Sequence, residues 1–519
     1  MSTNRKHNQT GAASSGNEGK KGSTRREFLA QSALAAAALT LHVPPSKLGA
    51  AEKTFKKPVG QPNVLLIHSD QFRADFISAA GKNPMDITPN LDAMYHRGTV
   101  FQNFMTNQPL CSPSRACLFT GQYATTTGVW KLTDPAIGIS PDAVTLATQL
   151  HHAGYSTNYI GKWHLAPKNN ATGEGLGFVL PKYRGGFVDL WEASNVLELT
   201  SHPYHGTIWD GAGNPMHYKD IYRVDYLTDL AEKFLRKKHD KPFLLVLSQL
   251  EPHQQNDLNG FAPPKGYSEK FRNPYAPPDV RLFPGDWPYQ LANYYGDVKA
   301  IDESMGRIFK ILKEQKLENN TIVIFTSDHG CHFRTRNTEY KRSPQDSSIH
   351  VPLMIQGPGF NNSLKIDQLV SMVDVMPSIL DALGLPIPSS VQGRSFIPLM
   401  HNDKARELWR NEVFVQISES ETARALRTPE WTYVALAPDA NPFRDSGSMY
   451  YRDYQLYDNK ADAAQVINLA GRSDPPELVH YIGDRSIREV QDHLRNRLIE
   501  IMVEAGEKRP KIDPWSYYP

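Results

Sequence analysis

Cysteine is scarce in this chain, with three residues in 519: Cys111, Cys117 and Cys331. That is too few for a disulfide framework. If Cys111 is committed to another task, Cys117 and Cys331 are the only pair left. Net charge is also small, since 57 Lys/Arg against 55 Asp/Glu give a formal +2. No later Lys/Arg run would track a phosphate backbone, so nucleic acid is excluded as a partner. No apolar stretch is a convincing membrane span, because Leu29 to Val43 is short and weakly apolar. No internal repeat is present.

What the chain does have is length and aromatic loops. A 519-residue chain can bury a large core and suggests two to four domains. With 40% apolar and 22% charged residues, its composition is that of a soluble globular protein. The 38 prolines and 23 tyrosines suit loops that carve a surface cleft. Residues 1–22 are polar and expected to be disordered. Ser23-Thr24-Arg25-Arg26-Glu27-Phe28-Leu29 and the Ala/Leu stretch after it resemble a twin-arginine export signal. Residues 1–51 therefore read as a disordered leader and signal peptide, with cleavage near Leu48-Gly49-Ala50-Ala51. An amphipathic helix of the mature protein is the alternative. Export through the twin-arginine machinery would place the protein in the periplasm or outside the cell. Because that route carries folded proteins, any cysteine modification would precede it.

Val64-Leu65-Leu66-Ile67-His68 reads as a buried parallel strand ending in Ser69-Asp70-Gln71. Open α/β sheets place ligand sites at such strand ends, although Asp70 alone reads as a helix N-cap. Thr88-Pro89-Asn90-Leu91-Asp92 looks like a capped helix start. Leu146 to Ala153 reads as a helix and Tyr155 to Ile160 as a strand, followed by Gly161-Lys162-Trp163-His164. Lys162 and His164 would project to one side of an extended backbone, which suits an anionic substrate; taken alone, the pair reads as surface. Residues 168–220 and 257–290 are expected to be irregular, aromatic insertions that build a cleft. Between them lie a helix over Tyr226–Lys237 and the strand Phe243–Leu247, with His253 just beyond it. A helix over about Leu291–Leu317 leads to Thr321-Ile322-Val323-Ile324-Phe325-Thr326 and Ser327-Asp328-His329. This repeats the pattern of buried strand, Ser, Asp and a second ligand-capable residue, and two such ends favour a divalent-metal cage. Lys341 precedes another loop-to-strand passage. Strands at Val413–Ile417, Trp431–Ala435 and Tyr454–Asp458 and a helix at Ile487–Ala505 form a smaller α+β unit.

The chain is organised around Cys111-Ser112-Pro113-Ser114-Arg115-Ala116, followed by Cys117-Leu118-Phe119-Thr120-Gly121. A thiol near a helix N-terminus with a cation beside it is expected to have a lowered pKa. A lone cysteine in a Pro-Ser turn reads instead as a small buried residue. The full Cys-x-Pro-Ser-Arg spacing resembles the maturation motif of the type I sulfatases, whose cysteine a separate maturation enzyme oxidises to formylglycine. Asn63–Asp70, Thr88–Asp92, Gly154–His164, Pro252-His253, Thr326–Gly330, Ile349–Gly359 and Tyr454–Ala470 resemble further signatures of the same family, in the same order.

The resemblance implies an alkaline-phosphatase-like α/β sandwich with a central, mostly parallel sheet flanked by helices over residues 60–400. It also implies a smaller C-terminal α+β subdomain, antiparallel sheet plus helix, over 405–519. Formylglycine at Cys111 would be the nucleophile, in its hydrated gem-diol form, and one Ca²⁺ would be held by Asp70, Gln71, Asp328 and His329. Arg115 would orient the gem-diol, Lys162 and Lys341 would hold sulfate oxygens, His253 would serve the leaving alcohol and His164 the release step. Many members carry Asp and Asn where this chain has Gln71 and His329, so its metal site is less negative. His350 stands where the family often has Arg and is given no role. The implied activity is hydrolysis of sulfate esters, and export with aromatic insertions points to sulfated carbohydrates and polysaccharide degradation. Phosphonate monoester and phosphodiester hydrolases of the same superfamily are the alternative, as is a catalytically silent carbohydrate-binding relative.

Overall fold

Asn63–Ser69 (β1), apolar from Val64 to Ile67, is buried along its whole length, which fits a strand covered on both faces. It pairs in parallel with Phe243–Ser248 (β8) on one side and Thr321–Ser327 (β9) on the other. The computed structural model describes residues 60–471 and 486–515, and the leader expected at 1–51, with its paired arginines, lies outside them. Outward from β8 come Ser156–Lys162 (β3) and Trp191–Ser194 (β4), also parallel. Five adjacent parallel strands thus form the centre of an 11-stranded sheet. Antiparallel Leu353–Gln356 (β10), with Thr99–Met105 (β2) and Leu364–Ser371 (β11), completes one edge. Ser201–His202 (β5), His205–Asp210 (β6) and Pro215–Lys219 (β7) complete the other.

Successive residues of β1 enter different cores. Val64 and Leu66 belong to one hydrophobic cluster, Leu65 and Ile67 to another. The second cluster is covered by Pro89–Arg97 (α1), Arg223–Leu235 (α4) and Trp287–Glu314 (α5), through Leu91, Leu227, Ile301 and Met305. The first takes Cys111–Thr120 (α2), Leu146–His152 (α3) and Val375–Ala382 (α6). It also takes Phe414, Leu426, Leu494 and Leu498 from the C-terminal region. There Val413–Ile417 (β12), Ala423–Arg427 (β13), Trp431–Leu436 (β14), Tyr450–Asp458 (β15) and Lys511–Asp513 (β16) form a second sheet beside the helix Ile487–Glu504 (α7).

One sequence reading is corrected and one strand is added. Residues 168–220 are not an irregular loop, since β4 to β7 lie within them and extend the main sheet. Trp191 and Tyr218 face the interior, and Trp191 stacks on Tyr159 at 5.3 Å, so they are core and not cleft wall. Strand β13 was not legible either. Its sequence, ARALR, is charged at two of five positions, yet all five residues are buried. Arg424 pairs with Glu507 and Arg427 with Asp346, and these partners, remote in sequence, permit the burial.

Candidate active site

The carboxyl ends of the parallel strands meet in register. Ser69 pairs with Ser327 and Gly161 with Ser248, so Asp70, Asp328 and Lys162 arrive at one rim. Gly161 has φ +104°, and a Cβ there would come within 2.0 Å of the Ser248 carbonyl oxygen. Only glycine lets β3 lie this close to β8 one residue before Lys162. Helix α2 brings Cys111, its first residue, to the same rim. It is tied down by Ser114, whose hydroxyl donates to the Asp328 carbonyl at 2.7 Å. Arg115 lies fully buried one turn below. It donates to Asp70 Oδ2 at 3.1 Å, to Asp328 Oδ2 at 3.2 Å, to the Lys162 carbonyl and to Ser248 Oγ.

The residues that the family resemblance assigned to the site converge here. Around Cys111 Sγ stand Lys341 Nζ at 3.1 Å, His329 Nε2 at 3.4 Å, Lys162 Nζ at 3.7 Å and Asp70 Oδ1 at 3.8 Å. Lys341 also reaches His253 Nε2 at 2.8 Å, while His253 Nδ1 contacts the Gln254 carbonyl at 2.6 Å. Lys162 Nζ lies 2.6 Å from Asp70 Oδ2. His164 sits at φ +57° just past the strand end. Its Nδ1 approaches Glu198 Oε1 at 3.6 Å, and the same oxygen lies 3.0 Å from Lys162 Nζ. His350 is elsewhere, with its Nε2 on the Gln102 carbonyl.

The thiol reading is corrected. Burial, with the charge of Asp70, pushes the Cys111 thiol up to about 11, and the two lysines do not offset this. The helix terminus and cation that would lower it are present, but desolvation of the anion dominates. An unmodified Cys111 is therefore a poor nucleophile at neutral pH.

The carboxylates share their oxygens in an orderly way. The Oδ2 atoms of Asp70 and Asp328 face the cationic side chains. The Oδ1 atoms face His329 Nε2, at 3.4 Å from Asp70 and 3.6 Å from Asp328. His329 Nδ1 contacts the Gly330 carbonyl at 3.0 Å, so in the neutral ring the proton sits there and the Nε2 lone pair points at the acids. Gln71 Oε1 is buried with no hydrogen-bond partner. Two carboxylate oxygens, an orphaned amide oxygen and an imidazole lone pair are a donor set that fits a divalent cation. Asp70, Cys111, Asp328 and His329 offer ligand atoms within 4.8 Å of one another. Burial lowers His253, His164 and His329 well below the usual imidazole range, with Lys341 or Lys162 adding to it. Burial works against the charge on Lys162, but Asp70, with help from Cys111 and Glu198, more than offsets it and raises the ammonium above its ordinary range.

Glu198 was not found from the sequence. It lies on a single helical turn, Leu197–Thr200, inside the 168–220 insertion, and nothing in Val196-Leu197-Glu198-Leu199 marks it out. Ser248 and Ser114, which anchor Arg115 and α2, were missed for the same reason.

The sulfatase family model matches residues 62–385, and the model described as N-sulphoglucosamine sulphohydrolase, C-terminal, matches 339–504. An ulvan-active sulfatase of Formosa agariphila is 29% identical over 482 residues, covering 88% of both chains. An arylsulfatase of Clostridium perfringens is 28% identical, covering 85% of this chain and 94% of its own. Among solved structures, a Bacteroides thetaiotaomicron protein connected with the metabolism of multiple glycosaminoglycans superposes with a TM-score of 0.73 at 22% identity. It covers 86% of this chain and 97% of its own.

Proposed function

The chain belongs to the sulfatase family and is a sulfuric ester hydrolase; from that premise we propose that it is an exported enzyme, periplasmic or secreted, that removes sulfate from carbohydrates with a formylglycine at Cys111 and one Ca²⁺. The convergence of Lys341, Lys162, His329 and Asp70 on the Cys111 sulfur carries this reading. In the mature enzyme that sulfur would be replaced by the gem-diol oxygens of formylglycine, which supply one hydroxyl to attack sulfur and a second whose deprotonation expels sulfate. Calcium, held by Asp70, Gln71, Asp328 and His329, would supply positive charge to the nucleophile and the transferring group.

The side chains then have distinct tasks. Lys162 and Lys341 bind the sulfate oxygens and offset the repulsion between an anionic ester and an anionic nucleophile. Arg115, locked by four hydrogen bonds, fixes both carboxylates and the start of α2. The proton for the leaving alcohol is held between Lys341 Nζ and His253 Nε2, 2.8 Å apart. His164, kept neutral by burial, is a base suited to taking the proton that accompanies sulfate release. The ulvan-active relative and the neighbour tied to glycosaminoglycan metabolism support a carbohydrate substrate.

The test is a peptide mass spectrum across Cys111 from protein made with a formylglycine-generating enzyme and exported. Sulfate release is then measured on a panel of sulfated oligosaccharides. Formylglycine with calcium-dependent sulfate release is the expected result. A persistent thiol in exported protein removes the nucleophile and leaves a carbohydrate-binding relative.

A further inference from the structure

A carboxylate beside an anion-binding lysine is an odd choice for a site that must hold sulfate. Glu198 is that carboxylate. Its Oε1 lies 3.0 Å from Lys162 Nζ, the ammonium that stands 3.7 Å from Cys111 Sγ. It is 6% exposed, and its Oε2 is buried with no hydrogen-bond partner. Lys162 does not need it as a counter-charge, because Asp70 Oδ2 is already 2.6 Å away. The metal cage does not use it either, since Glu198 is outside the group formed by Asp70, Cys111, Asp328 and His329. The charged and titratable groups whose fields it shares are Lys162, His253 and Asp70, with His164 at 3.6 Å and Lys168 nearby. Even so, it remains ionised: burial opposes the charge, but the Lys162 ammonium at 3.0 Å holds its carboxyl below the usual range.

A fixed negative charge this close to the transferring group acts on substrates according to their own charge. Sulfate esters, phosphodiesters and phosphonate monoesters each carry one negative charge. A phosphate monoester carries close to two at neutral pH, with a second pKa of about 6. The added charge is repelled by Glu198 in a desolvated setting where Coulomb interactions are weakly screened.

We propose that Glu198 is a charge-selectivity residue, supplied by the β4–β5 connection, that biases the site toward singly charged esters and against dianionic phosphate monoesters. This rests on the sulfatase reading of the same site but adds a determinant that the reading does not contain. Glu198 acts through its field and through Lys162 and takes no part in the bond-making steps.

The experiment compares binding of benzenesulfonate, which stays singly charged, with phenylphosphonate, which becomes a dianion near neutral pH. Neither is hydrolysed. Calorimetric titration of the mature, calcium-loaded enzyme at pH 8 is run for wild type, E198Q and E198D. In E198Q the phenylphosphonate-to-benzenesulfonate affinity ratio is expected to rise at least tenfold over wild type, with E198D staying near wild type. Phenyl phosphate against phenyl sulfate turnover should shift the same way in kcat/KM. An unchanged ratio in E198Q, or an equal shift in E198D, overturns the proposal. If E198Q does not fold, wild type alone decides. Its affinity for phenylphosphonate relative to benzenesulfonate should fall as pH rises from 6 to 8 and the ligand loses its second proton, and a constant or rising ratio overturns the proposal. Because binding is read without turnover, an enzyme that releases no sulfate yet shows the expected ratios would sink the sulfatase reading and leave this one standing.

Discussion

The two strand ends Ser69-Asp70-Gln71 and Ser327-Asp328-His329 look like copies of one another, and the structure places them side by side, with Ser69 in register with Ser327. Their acids nevertheless behave in opposite ways. Burial raises both. At Asp70 the opposing charges of Lys162 and Arg115 win, and the carboxyl is held well below its usual range. At Asp328 burial and the neighbouring charge of Asp70 prevail over Arg115, and the group is pushed up to about 7. Geometry gives the reason. Asp70 Oδ2 has Lys162 at 2.6 Å and Arg115 Nη2 at 3.1 Å, whereas Asp328 Oδ2 has Arg115 Nε at 3.2 Å. Local sequence specifies a carboxylate at each position, and the neighbours specify which one stays charged.

Neutralising each acid in turn should break the symmetry most visibly. In metal-free protein at pH 7, D70N leaves buried Lys162 and Arg115 short of counter-charge and should cost about 3–5 kcal/mol. D328N replaces a group that is already half protonated and should cost less than about 1 kcal/mol. Denaturant unfolding reads both, and equal losses would refute the account. Turnover should fall roughly 100-fold or more in either variant, because each removes an oxygen of the proposed metal site.

The next largest effect is a pH dependence. Folded Asp328 holds its proton to about pH 7, but unfolded it releases it near the ordinary aspartate value of 3.8. Between these values the folded state binds more protons, so the metal-free protein loses stability as pH rises through that window. A divalent cation bound at the proposed site would replace the proton. The gain in Tm on adding calcium should therefore grow from pH 5 to pH 8, and thermal unfolding with and without a chelator checks this. A gain that shrinks with pH would show that Asp328 is not the group responsible.

A smaller change tests the weaker ligands. Q71D adds a third carboxylate to the site and should tighten calcium by about tenfold, read by calorimetry. No change would mean that the orphaned Gln71 Oε1 does not face the ion.

Asp346 provides the smallest effect and a control. Its two oxygens each meet Arg427 at 2.9 Å, and that pairing, against its burial, lowers it to about 2. The stability it contributes is present above pH 4 and is lost as pH falls toward 2. D346N should cost about 1 kcal/mol at neutral pH, in keeping with an ion pair that is partly exposed, and leave calcium affinity unchanged.

Much of the site was legible because its elements follow local rules. Parallel strands buried on both faces are continuous apolar runs, as in Val64–His68 and Thr321–Thr326, and the residues just past them reach the ligand rim. The order of Cys111, Arg115, Lys162, His164, His253 and Lys341 carried the family resemblance, and the structure gathers all of them. Glu198 stayed hidden because a carboxylate between leucines in an aromatic insertion has no spacing that announces it. Strand β13 stayed hidden because Arg424 and Arg427 look like surface residues until Glu507 and Asp346 are beside them.

By itself, the sequence determined the central buried strands, most of the helices, the cysteine at a helix start and most of the acids, bases and lysines around it, since these depend on residue type and short-range periodicity. Only the tertiary structure decided their charge states: a thiol driven up to about 11 where the motif promised a lowered one, one aspartate charged and its twin near neutral, and a glutamate set against a buried lysine. Ionisation in a buried site is set by desolvation and by charges a few ångströms away. Those distances exist only once strands and helices far apart in sequence have packed together.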